Sequence, residues 1–314
     1  MEYATFFMDG LRPKNRRMER EGIHCIHSEN SFIFWEFGSN RTQEKRIHVF
    51  PPPQLIHRAW VQLPWVQSLL QLIATRPTLH EVMLHGPTQK SQHSLVHTKL
   101  FLESISTNAS IHTVRLSWAQ VPVAALYPYL NDDNTTSVTT LELSYCNFEG
   151  TALEKQELFR LFRQSMRINK LTLSSRAWSG HDDDDDDVLS SFYRHLASNA
   201  HVKELDLHLL HPPSLASSDA LQFLVENSTS IEHLTIYSTS GLGLCSIVRG
   251  LLAATTRVID ITFEHCQFGM YEEDANDVSV ALFKSIIQTM PCIWSLCLHQ
   301  CWFPQFEPSV STFT

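Results

Sequence analysis

No stretch of 18 consecutive apolar residues occurs anywhere in the 314-residue sequence, so hydropathy gives no membrane-spanning helix. The apolar opening ends at Met8, and Glu2 precedes most of it. That run is too short, and its leading charge has the wrong sign, for a secretory signal. Paired Cys-x-x-Cys spacing is absent, and the seven cysteines are odd in number and scattered. Without an export signal, this points to free thiols in a reducing compartment, cytoplasmic or nuclear. The Asn-x-Ser/Thr sequons at Asn40, Asn108, Asn134 and Asn227 are then idle. There is no Walker loop, no Gly-x-Ser-x-Gly and no His-Glu-x-x-His.

Positive charge is also scarce. Lys and Arg number 24 against 33 Asp and Glu, a formal charge of −9. That argues against a protein that coats nucleic acid. Residues 1–60 hold nine basic and seven acidic residues, a balance of +2. The rest holds 15 and 26, a balance of −11. Hydrophobic residues make up 43% of the chain and charged residues 18%, enough apolar content for a packed core.

What is present is a repeat. The pattern aliphatic, two residues, aliphatic, one residue, aliphatic begins at Leu79, Ile111, Val138, Ile168, Val202, Ile231, Val258 and Ile293. The starts are 32, 27, 30, 34, 29, 27 and 35 residues apart, and all 24 marked positions are apolar. The alternating core of each unit predicts a short strand. About ten residues later the period changes to that of a helix. Helices are expected over 64–76, 95–107, 121–130, 152–166, 188–198, 217–226, 244–254 and 277–290. In 152–166 the apolar set is Leu153, Leu158, Leu161, Phe162 and Met166. Asn108, Asn199 and Asn227 lie where helices end, and Asn tolerates the left-handed conformation that closes a helix.

Strand, helix and return on one side give parallel strands. Strands need about 4.8 Å each and helices about 10 Å. The helical layer is therefore wider, and the stack is expected to curve with strands on the concave side. Leu141-Glu-Leu143-Ser-Tyr-Cys146-Asn-Phe148, Ile261-Thr-Phe263-Glu-His-Cys266-Gln-Phe268 and Leu296-Cys-Leu298-His-Gln-Cys301-Trp-Phe303 resemble the leucine-rich repeat signature. The unit length of about 30 residues resembles the ribonuclease-inhibitor-like class. The resemblance implies an α/β leucine-rich repeat solenoid of about eight repeats over 77–303. The signature's Asn/Cys position departs from the pattern at Pro87, Ala119, Arg176, Leu210 and Thr239.

Outside the repeat, 1–22 reads as a basic arm, 23–76 as an N-terminal cap and 304–314 as a tail. Within the cap, 23–37 predicts two short strands around Ser28–Asn30. Leu63-Pro64 before an apolar run resembles an F-box opening, but the residues left before Leu79 are too few for one. Asp182–Asp187 is a self-repelling solvated block, partly near a helix N-terminus, or a weak cation site. It lacks the Gly and Glu of an EF-hand loop. Cys297, His299 and His265 do not have a zinc spacing. Gly241-Leu-Gly243 lacks the third glycine of a dinucleotide loop. No metal or cofactor is expected.

The third, fifth, seventh and eighth positions of each unit are expected on the strand face away from the core. They supply the candidate partner-binding residues Trp118, Tyr145, Glu142, Glu204, Asp206, Tyr237, Asp260 and Glu264. Exposed aromatics can anchor a partner, and acids can steer a basic one. The expected function is non-catalytic protein–protein interaction through the concave face, with no membrane and no nucleic acid. The alternatives are an adaptor working through its N-terminal region and a hydrolase-type site within the repeat.

Overall fold

A computed structural model of the chain describes residues 23–28, 31–37, 44–50, 64–85, 92–132, 136–174, 185–209, 215–239, 241–253, 258–268 and 294–302. The chain divides into two units, Met1–Ser179 and Gly180–Thr314. Both are α/β, with sheets that are mostly parallel. The arm over 1–22, the helix over 277–290, the tail over 304–314, Asp182–Asp184, Pro87, Arg176 and Leu210 lie outside the described residues.

The first unit starts with β1 (Ile23–Ser28) and β2 (Ser31–Phe37), an antiparallel pair in which Ser28 faces Ser31. This is the hairpin expected around Ser28–Asn30. The next strand, β3 (Glu44–Phe50), has no counterpart in the repeat frame. It pairs antiparallel with β2 and parallel with β4 (Glu81–His85), setting Ile47 beside Val82 and Val49 beside Leu84. Ile47 and Val49 are buried, so two alternating aliphatics are enough to extend the parallel core among Lys45, Arg46 and His48. Parallel pairing continues through β5 (Thr113–Ser117), β7 (Thr140–Ser144) and β9 (Lys170–Ser174). A small second sheet pairs β6 (Gln120–Pro122) with β8 (Asn147–Glu149). In the second unit β10 (Glu204–His208), β11 (His233–Tyr237), β12 (Asp260–Glu264) and β13 (Ser295–His299) are all parallel.

Each repeat strand begins at the third frame position, and within each unit the pairing is in register. The fourth and sixth positions therefore stack from strand to strand as an apolar layer in each unit. Val114, Leu116, Leu141, Leu143, Leu171, Leu205, Ile236, Ile261 and Phe263 are all buried. Burial of each such side chain contributes about 1.5–3 kcal/mol.

The helices are α1 (Pro64–Thr75), α2 (Gln92–Ser106), α3 (Tyr127–Leu130), α4 (Ala152–Gln164), α5 (Asp185–Ala197), α6 (Leu215–Asn227) and α7 (Gly241–Ala253). The helix expected over 121–130 is instead β6, a 3₁₀ turn over Val123–Leu126 and the single turn α3. Pro122 and Pro128 fall within that stretch, and proline withholds a helix hydrogen bond. Helix α4 opens with a capping box. Thr151 Oγ1 accepts from the Glu154 amide, and Glu154 Oε2 accepts from the Thr151 amide at 2.7 Å. Its buried face is Leu158, Phe159, Leu161 and Phe162. Leu153 and Met166, expected on that face, are 78% and 63% exposed. Met166 lies beyond the end of α4, and Leu153 sits in its first turn on the solvent side. Gly250 has a packing reason: a Cβ there would lie 2.8 Å from the Gln222 carbonyl oxygen and the Val225 Cβ, so α7 meets α6 through it. Gly241 and Gly243 form the first turn of α7 rather than a phosphate loop.

The asparagines near helix ends work differently from the expectation. None of Asn108, Asn199 and Asn227 has a positive φ. Asn108 is buried; its Nδ2 donates to the carbonyls of Ile73 at 2.6 Å and Arg76 at 2.9 Å, and its Oδ1 accepts from the Ser110 amide. Asn199 Oδ1 accepts from the amides of His201 and Val202. The side-chain amide closes the turn, so the backbone need not enter the left-handed region.

That region is used elsewhere. Six described residues directly follow a repeat strand, and five of them have positive φ: Trp118, Tyr145, Ser238, His265 and Gln300, between 51° and 59°. None is a glycine, and each costs roughly 1–2 kcal/mol. The reversal turns the next residue inward. Ala119, Cys146, Thr239 and Cys266 are buried, and Cys301 is half-buried. The thiols of Cys146, Cys266 and Cys301 donate to the carbonyls of Leu116, Ile236 and Phe263 at 3.4, 3.5 and 3.3 Å. Each is the sixth-position residue of the preceding strand, so the three cysteines stitch neighbouring rows together. Ala119 and Thr239 show that a small residue suffices at the same place.

This placement predicts thiol reactivity. Burial pushes the thiols of Cys146 and Cys266 up to about 12 and raises that of Cys301. Cys297 is exposed. Under native alkylation Cys297 should react first, Cys301 later and Cys146 and Cys266 last, because the thiolate is the nucleophile. Peptide mass spectrometry over a time course reads the order. Fast labelling of Cys146 would contradict its inward position.

Candidate functional site

Alternation along each strand leaves the third, fifth and seventh positions on the face turned from the core, half-buried in most rows. Each unit carries its own group of polar and aromatic side chains there.

In the first unit the eighth position matters most. Trp118 and Tyr145 follow adjacent strands, and both have positive φ. The Trp118 amide donates to the Ser144 carbonyl at 3.0 Å, which fixes the turn against the next strand. The two rings stack with centroids 4.4 Å apart and planes 7° apart. Trp118 is 41% exposed. The pair is therefore a preorganised aromatic edge, whose side chains have less conformational entropy to lose when a partner binds. Beside it, Arg115 on β5 sits between Glu81 on β4 and Glu142 on β7, with Nε 3.0 and 3.3 Å from their carboxylates. Glu142, expected as a steering acid, is thus held by a neighbouring cation. The repeat frame already sets Arg115 and Glu142 at the same position of adjacent strands; the ion pair itself depends on the side-chain conformations.

In the second unit the register places Glu204, His233, Asp260 and Ser295 in one row, and His208, Tyr237, Glu264 and His299 in another. Three of the four candidate acids, Glu204, Asp260 and Glu264, therefore share their rows with histidines. His233 Nδ1 lies 2.7 Å from Asp260 Oδ2. Glu264 Oε1 lies 3.3 Å from His299 Nδ1 and 3.8 Å from His265 Nε2. His208 stacks on Tyr237 with centroids 4.2 Å apart and planes 3° apart. Asp206 occupies the fifth position of β10, between Glu204 and His208. The histidines are the residues that sequence reasoning left out of the site. They stood in the same columns as the acids, but a column does not show which side chains touch.

Burial against Tyr237 lowers the pKa of His208 below the ordinary value of 6.5, although Asp206 and Glu264 pull it the other way. A histidine with a lowered folded pKa binds its proton less readily folded than unfolded. Its stability contribution is complete above the unfolded pKa and is lost as pH falls through the folded one. His208→Phe keeps the stack and removes the titration. The melting temperature of this variant relative to wild type should rise as pH falls from 7 to 5. A constant difference across that range would show that His208 is not linked to folding.

No group of three or more His, Cys, Asp or Glu among the described residues has a geometry that holds a metal ion. No described helix is long and apolar enough to cross a membrane. No protein-family model matches the chain, and no curated protein matches it. Among solved structures it is similar to a crystal structure of a Bacteroides fragilis protein. That likeness has 9% identity and a TM-score of 0.42, over 90% of this chain and 97% of the other. A likeness at that level carries no argument about the site.

Proposed function

We propose that the chain is a non-catalytic recognition module of the leucine-rich repeat kind, curved with its strands inward, that binds another protein through the outer faces of its strands. The Trp118–Tyr145 stack supports this reading most. A bulky tryptophan at φ 59° is conformationally costly, yet its ring is 41% exposed rather than used to fill the core. The left-handed turn itself is shared by five rows, where it buries the residue that follows, so the exposed ring and not the strain marks this row. A stacked, partly desolvated Trp/Tyr pair also has the composition of an interface hot spot. The partner offers an apolar patch to this pair. A basic patch suits the second unit, where Glu204, Asp206, Asp260 and Glu264 outnumber the fixed positive charges of the same rows.

The test compares wild type with Trp118→Ala/Tyr145→Ala in affinity purification, followed by surface plasmon resonance with the recovered partner. Hot-spot loss of about 2 kcal/mol or more predicts at least a roughly 30-fold weaker complex, mainly through faster dissociation, with an unchanged melting temperature. Unaltered binding in that variant, with binding lost on removing residues 1–60 while the melting temperature is kept, would overturn this reading in favour of an N-terminal adaptor.

A further inference from the structure

Among the described residues, strand β13 ends the sheet of the second unit and is hydrogen-bonded on one side, to β12. Its core-frame residues are not covered as their equivalents are. Leu298 is 40% exposed and Leu296 half-buried, whereas Ile261 and Phe263 at the same positions of β12 are fully buried. Trp294 and Trp302, which flank the strand, are 87% and 42% exposed. Edge strands are usually protected by charge, proline or a bulge. Ser295-Leu296-Cys297-Leu298-His299 carries no Lys, Arg, Asp, Glu or Pro.

The direction of its backbone groups follows from the ladder. The Ser295 amide donates to the Ile259 carbonyl, and the His299 carbonyl accepts from His265. Ser295 and His299, and by alternation Cys297, point their backbone groups at β12. Leu296 and Leu298 point theirs at the open edge. We propose that this edge is the pairing surface for a second copy of the chain, with the two β13 strands antiparallel about a two-fold axis at Cys297. The strand is self-complementary in that register. Leu296 of each copy exchanges both backbone hydrogen bonds with Leu298 of the other, giving four bonds. Ser295 faces His299 of the second copy, so no like charges oppose. The two-fold is perpendicular to the sheet, so the four leucines fall on one face and pool into one apolar patch. The two Cys297 residues meet as a non-hydrogen-bonded pair, the closer kind, with Cβ atoms about 4.5–5.5 Å apart. That is near the roughly 3.5–4.5 Å of a disulfide.

Sedimentation velocity on the full chain, from about 1 to 200 μM under reducing conditions, should show a reversible dimer. Its dissociation constant should be roughly micromolar, as suits a small interface. Leu298→Lys, at a site exposed enough to keep the fold, should shift the protein to monomer with its melting temperature preserved. Diamide, which takes up the two electrons and two protons of a thiol pair, should trap a covalent dimer. Mass spectrometry should assign it to Cys297–Cys297, and Cys297→Ser should abolish it. A monomer at every concentration would overturn the proposal. So would a dimer that persists with Leu298→Lys, or a trapped dimer that does not depend on Cys297.

Discussion

Leu143→Asp should unfold the first unit or cost it several kcal/mol. Leu143 is fully buried in β7, in register between Leu116 and Leu173. Its neighbour along the strand, Leu141, is equally buried between Val114 and Leu171. A carboxylate there has no cation within the aliphatic layer, and burying an unpaired charge exceeds the cost of removing the methyl groups alone. Leu143→Ala serves as the calibrating variant. It should cost about 2–5 kcal/mol from lost transfer energy and the cavity left behind. Circular-dichroism melts should rank wild type above Leu143→Ala, and Leu143→Ala above Leu143→Asp. Indistinguishable melts for wild type and Leu143→Asp would mean the aliphatic frame does not form the core. The matching change on the opposite side of the same strand, Glu142→Ala, should be mild, because it removes a half-buried side chain and leaves Arg115 its contact with Glu81.

The contrast between those two neighbouring positions also explains what was legible in the sequence. A strand covered on one face must place apolar residues at every second position, so Leu141 and Leu143 announce themselves without any neighbour in view. The same rule located all eight repeat strands. It missed β3 because only Ile47 and Val49 carry the signal there, in a segment that also holds Glu44, Lys45 and Arg46. It missed β6 and β8 because three residues are too few to show a period. Turn chemistry was harder still. The whole chain has 10 glycines, and the left-handed position after five strands is filled by Trp, Tyr, Ser, His and Gln. No residue-type rule marks such a position. The site was half legible. Columns could be written from the repeat, and they placed Trp118 beside Tyr145. Which acids have a histidine or arginine against them depends on register and rotamer. Glu142, Asp260 and Glu264 therefore read as open charges and are found paired.

That pairing sharpens the expected effect of reversing charge on the second unit. Glu204→Lys/Asp206→Lys changes the local charge by four units on β10. Adding Asp260→Lys and Glu264→Lys does more than double this. It also sets lysines against His233, His265 and His299, which the native carboxylates contact. If a basic partner is steered to this face, association should slow by roughly 10–1,000-fold in the four-site variant at low salt. Glu204 and Asp260, in one row two strands apart, lie within about 10 Å, close to one Debye length at physiological salt, so they act partly together. Wild-type association should slow as salt is added, whereas association of the four-site variant should be flat or rise, since screening then removes repulsion. Dissociation should change less, because steering acts before contact. Trp118→Ala/Tyr145→Ala should show the opposite signature, fast dissociation with near-native association. Stopped-flow or surface plasmon resonance across a salt series separates the two. Identical salt slopes for wild type and the four-site variant would show that the acidic rows do not meet the partner, whatever the aromatic pair does.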